Sequence, residues 1–80
     1  MGMKALSDHL NTLEPKARTV LCKRIGTTEG YIRKAASAGQ LMEPARCVKT
    51  ERETNGKVTR QQLRPDDWRD IWPELAGKAA

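Results

Sequence analysis

Thr28, Glu29, Gly30, Arg33, Lys34 and Ser37 are the residues of this chain whose types and spacing fit a chemical task. They offer hydroxyls, one carboxylate and two cations, with no large apolar group among them. Catalysis does not suit the rest of the sequence. It has a single histidine, His9, no carboxylates clustered in an apolar setting and no Gly-rich phosphate loop. Cys22 and Cys47 are far apart and lack metal-ligand spacing, so neither an enzyme, a cofactor nor a metal is expected. The chemistry that fits is hydrogen bonding and charge pairing to nucleic acid. Arg33 and Lys34 could read guanine, the commonest target of such side chains. Glu29 could accept from cytosine N4 or orient Arg33 four residues on, and the second role is the better match because a carboxylate near phosphates is repelled. Lys16, Arg18, Lys23 and Tyr31 are candidates for the phosphate backbone, where contacts position a protein without reading sequence.

The segment 18–39 must position these groups. Leu21 and Ile25 share one helix face, and Ile32 and Ala35 share a face of a second helix. Gly26 follows Ile25 where a helix must end in a left-handed conformation. Thr27 or Thr28 can cap the second helix. Two short helices across a Gly-containing turn make a helix-turn-helix, whose second helix enters the DNA major groove. Helix–Gly–helix passages also occur in proteins that bind no DNA, and Lys and Arg also cover ordinary solvated helices.

The charge distribution favours the polyanion. The chain has 80 residues and a net charge of +5. Residues 16–64 carry twelve Lys/Arg against four acids, whereas 65–77 carry one Arg against four acids. Cationic surface concentrated on the helix-turn-helix can neutralise phosphates and release counterions. With no Phe and 4% aromatics the core must be aliphatic with a few Trp contacts. No apolar run is long enough for a membrane span or signal peptide. Two buried cytosolic thiols are expected, and no disulfide. Met1-Gly2 reads as a cloning remnant before a natural start at Met3.

Patterning places the remaining elements. Leu6, Leu10 and Leu13 form one stripe of a first helix over 4–13. Pro15 suits the first position of a helix running to Ile25, with Ala17, Leu21, Cys22 and Ile25 inward. A recognition helix over 28–38 closes at Gly39. Pro44 opens a fourth helix to Thr54, with Ala45, Cys47 and Val48 supplying apolar contacts. Asn55-Gly56 can end it by left-handed capping or turn a β-hairpin. Against the hairpin, Thr59-Arg60-Gln61-Gln62 fits a capping box opening a short helix to Leu63. Trp68, Ile71, Trp72 and Leu75 have helical spacing broken by Pro73, and form either the end of the core or a pairing surface. Residues 3–75 read as one domain, with a disordered tail over 76–80.

Ile32-Arg33-Lys34-Ala35 with Ala38-Gly39 resembles the recognition helix of the Cro repressors of lambdoid phages. Thr54-Asn55-Gly56, Val58-Thr59-Arg60, Leu63-Arg64-Pro65-Asp66-Asp67-Trp68 and Ile71-Trp72-Pro73-Glu74-Leu75 resemble Cro-like and YdaS-like regulators of phages and prophages. The resemblance implies a small five-helix, all-α, lambda-repressor-like domain with a short Trp-containing tail. It implies a cytoplasmic, sequence-specific repressor in a bacterial host, binding double-stranded operator DNA as a homodimer, with no membrane or small-molecule partner. The alternative it leaves is a YdaS-type antitoxin-like regulator acting through a protein partner. By position it carries base contact to Thr28, Glu29, Gly30, Arg33 and Lys34, with Ser37 at the edge. Arg18 stands where the family often has a Gln that contacts the backbone and braces the recognition helix. Cys22 replaces the usual Ala at the tight helix–helix contact.

Overall fold

Proline and glycine punctuate the chain where the helices begin and end. The computed structural model describes residues 2–78, and among them every regular element is helical. The elements are α1 (Met3–Leu10), α2 (Pro15–Ile25), α3 (Glu29–Ala38), α4 (Pro44–Glu53), α5 (Arg60–Leu63), α6 (Trp68–Ile71) and α7 (Pro73–Lys78). Pro15 and Pro44 each occupy the first turn of their helix, where the missing N–H has no intrahelical partner to lose. The last two short helices break at Trp72, because Pro73, the first residue of α7, lacks the N–H that a continuous helix would need.

The core is aliphatic and thiol-rich, closed by one Trp. Met3, Leu6 and Leu10 of α1 meet Leu21, Cys22 and Ile25 of α2, Ile32 and Ala35 of α3, Cys47, Val58, Leu63 and Trp72. Helix α1 packs on α3 and α5, and α2 packs on α3 and α4. Cys22 of α2 and Cys47 of α4 are both buried free thiols. Burial pushes the Cys47 thiol up to about 11, because a thiolate would be poorly solvated there.

Three expectations need correction. Ala17 is exposed: it lies one turn before Leu21 on the flank of α2 that borders an open groove with Val20, while Leu21, Cys22 and Ile25 turn inward. In α4, Ala45 and Val48 are exposed, and the buried face is built from Cys47 and Thr50, with Thr54 next in line. Those threonines are tolerated in the core because their hydroxyls are bonded. Thr54 Oγ1 donates to the Thr50 carbonyl at 2.8 Å and accepts from the Val58 N–H at 3.1 Å. This clasp, with Asn55 and Gly56 both at positive φ, turns the chain from α4 into α5 without a strand. Finally, helix α7 extends to Lys78, into the stretch expected to be a disordered tail, while Ala79 and Ala80 lie outside the described residues. Gly2 is buried at the start of α1, where its carbonyl accepts from the Ala5 N–H at 3.2 Å.

The Thr59 capping box forms as its sequence requires. The Thr59 hydroxyl accepts from the Gln62 N–H at 3.2 Å, and the Gln62 side chain accepts from the Thr59 N–H at 2.9 Å. Trp72 is 8% exposed, with the Arg60 guanidinium over its ring at 5.4 Å. Arg64 clamps the segment by donating to Asp67 Oδ2 at 2.7 Å and to the Met42 carbonyl at 2.8 Å. That guanidinium holds the Asp67 carboxyl below its ordinary value.

Candidate nucleic-acid interface

The turn between α2 and α3 consists of Gly26, Thr27 and Thr28. Gly26 sits at φ 91°, a left-handed conformation costly for any residue with a Cβ. Its N–H and that of Thr27 both donate to the Cys22 carbonyl at 2.9 Å, satisfying the end of α2. Thr28 then caps α3, its hydroxyl accepting from the Tyr31 N–H at 3.1 Å. Gly39, at φ 72°, closes the helix. The two helices are thereby joined by a short, capped turn, with Ile25 and Ile32 both buried in the core.

Burial of Ile32 and Ala35 decides what α3 exposes. Gly30, Lys34 and Ser37 lie along one outward stripe, with Tyr31 and Ala38 beside it. Thr28 is exposed at the head of the helix. Gly30 has open space where a Cβ would project, so backbone at this point can approach another surface closely. Tyr31 is 49% exposed and borders a shallow cleft with Thr27, Leu41, Glu43 and Arg46.

Glu29 and Arg33 lie on the flank of α3 that faces α1. Arg33 donates through Nη1 to the Ser7 carbonyl at 2.9 Å and to Ser7 Oγ at 2.8 Å, and through Nη2 to Glu29 Oε2 at 3.2 Å. Arg18 donates through Nε to the Leu10 carbonyl at 2.9 Å, and its Nη1 stands 3.8 Å from the same Glu29 oxygen. Two cations therefore share one carboxylate at the seam of α1, α2 and α3. The Leu10 carbonyl at the end of α1 accepts from the Leu13 N–H at 3.1 Å as well as from Arg18. Arg18 thus braces α1 against the start of α3, and Glu29 orients Arg33 as its spacing indicated. Lys34 remains exposed, with no ion pair among the described residues.

The backbone candidates separate. Lys23 is exposed in the last turn of α2. Lys16 lines an open groove of about 630 Å³ with His9, Leu13, Val20, Arg24 and Lys57, to which α3 contributes nothing. Sequence reasoning passed over Ser7 and Arg46. Ser7 pairs across 26 positions, for which local spacing carries no signal. Arg46 sits beside the turn, its Nε 3.8 Å from where a Gly26 Cβ would be, and its only sequence cue is a place in the first turn of α4.

Among the described residues no helix is long and apolar enough to cross a membrane. No curated protein matches the chain. A family model described as "Bacterial toxin YdaS" matches residues 17–71, a span that runs from the start of α2 through α6 and includes the whole helix-turn-helix. This match takes in well over half of the sequence, and the chain belongs to the YdaS family.

Proposed function

We propose that this chain is a YdaS-like phage or prophage regulator that binds operator DNA through α3 and represses transcription by occupying sequence that RNA polymerase needs. The observation that carries the reading is the outward stripe of α3. It presents Thr28, Gly30, Lys34 and Ser37 on a helix locked by a capped, Gly-containing turn. Lys34 is the leading base reader, as an exposed cation with no ion pair among the described residues that can reach guanine. Tyr31 and Lys23, both exposed, serve the phosphate backbone. Arg33 and Arg18 act mainly through the protein, fixing α3 on α1. On DNA two copies would set their recognition helices roughly 34–36 Å apart, one turn of the duplex.

A regulator acting mainly through a protein partner would use the segment 68–75. That surface is largely spent: Trp72 is buried, and the Arg69 guanidinium lies over the Trp68 ring at 5.0 Å. The family's description as a toxin is compatible with DNA binding, since a protein of this kind in excess would occupy host promoters. Selection of bound duplexes from a randomised pool tests the proposal. A motif of two half-sites, lost or relaxed at one position in Lys34→Ala, is expected. Recovery of unenriched sequences would refute it.

A further inference from the structure

Glu29 is the one acid on α3, in the first turn of a helix whose N-terminal residues would meet DNA. A carboxylate there should weaken binding, yet it accepts from Arg33 at 3.2 Å and stands 3.8 Å from Arg18. Both arginine side chains are about two-thirds to three-quarters covered, and each guanidinium is also bonded to a carbonyl of α1. One carboxylate thus offsets half of their combined charge, and both side chains are held in the seam. Lys34, one residue on, carries no such restraint.

We propose that Glu29 is a specificity-determining residue: it keeps Arg18 and Arg33 out of sequence-blind phosphate contact, so that discrimination rests on the Gly30, Lys34 and Ser37 stripe. This rests on the DNA-binding reading above. Arginine contacts to phosphate raise affinity for every sequence alike, so two free arginines at the edge of the interface would lower the ratio of specific to random binding. Glu29→Gln keeps the shape and removes the compensating charge.

The test is binding of wild-type and Glu29→Gln protein to a random-sequence duplex across a salt series. Each added phosphate contact steepens the log–log salt dependence by about 0.9. One to two new contacts would therefore raise random-duplex affinity about 8- to 60-fold at 0.1 M salt, with the gain vanishing towards 1 M. Glu74→Gln in the exposed part of α7 makes the same change in net charge and leaves the slope unaltered. In the wild-type background, Arg18→Gln and Arg33→Gln should also leave the slope unaltered, because neither arginine is engaged with phosphate. These two variants decide the question if Glu29→Gln does not fold. An unchanged or shallower slope in folded Glu29→Gln, or a slope reduced by about 0.9 in either arginine variant, would overturn the proposal. A wild-type protein that binds no duplex even at low salt would overturn the DNA-binding reading itself.

Discussion

Replacing Arg33 and Lys34 separately should divide stability from recognition, although the two residues are adjacent and equally charged. Arg33→Ala removes three donations, to the Ser7 carbonyl, to Ser7 Oγ and to Glu29. Its side chain is 33% exposed, so solvent screens the Glu29 ion pair and its share of folding stability is the smaller part, whatever its effect on where the guanidinium points. The bonds to Ser7 tie α3 to α1 across the main helix–helix contact and are charge-assisted. A charged hydrogen bond is worth about 1.5–3 kcal/mol, and partial solvent access puts the whole loss at about 1–2 kcal/mol. For a domain of this size each kcal/mol shifts Tm by about 4–8 °C, so a fall of roughly 4–16 °C is expected. Lys34→Ala removes an exposed side chain that pairs with none of the described residues and should change stability by less than about 0.5 kcal/mol. Thermal melts followed by far-UV circular dichroism measure both. Equal Tm values for the two variants would refute the account of the α1–α3 seam.

Other perturbations have defined outcomes. Gly26→Ala forces a Cβ into the left-handed turn with room around it, so the loss of about 1–2 kcal/mol comes from backbone strain alone and shows as a lower urea midpoint at unchanged m. Thr59→Ala breaks the capping box and should cost about 1 kcal/mol in the same assay. Cys47, raised to about 11, should resist a thiol reagent at pH 8 until denaturant is added; its thiol is favoured in the fold, so the stability it contributes is complete below the unfolded thiol value and lost as pH climbs through 11. His9 is lowered by burial and by the Lys57 charge, so folding favours its neutral form, and stability measured by urea titration should decline as pH falls from 7 through its depressed value.

Much of this fold is written locally. Pro15, Gly26, Thr28, Gly39, Pro44 and the Thr59–Gln62 box each act within one helix turn, so sequence alone places the ends of α2 to α5 within a residue. What escaped depends on partners distant in sequence. Nothing near Thr50 and Thr54 announces that their hydroxyls bond Met42 Sδ and the Val58 N–H, which is what makes a polar face of α4 buriable. Ala17 and Val48 look apolar enough to be inward, but α2 and α4 each have a narrower buried face than their composition implies. The interface shows the same division. The outward stripe of Gly30, Lys34 and Ser37 results from the inward pair Ile32 and Ala35, and Glu29–Arg33 from i, i+4 spacing. The capture of Arg33 by Ser7, and of Arg18 by the Leu10 carbonyl, depends on how α1 lies against α3, which local spacing does not reveal.

Binding of the purified protein to the DNA flanking its own gene, against a scrambled duplex of equal length, tests the central claim most directly when measured at low and near-physiological salt. The account predicts a two-half-site footprint that survives the higher salt and disappears in Lys34→Ala. Equal binding to both duplexes that vanishes with added salt would contradict it, leaving α3 as part of a nonspecific cationic surface.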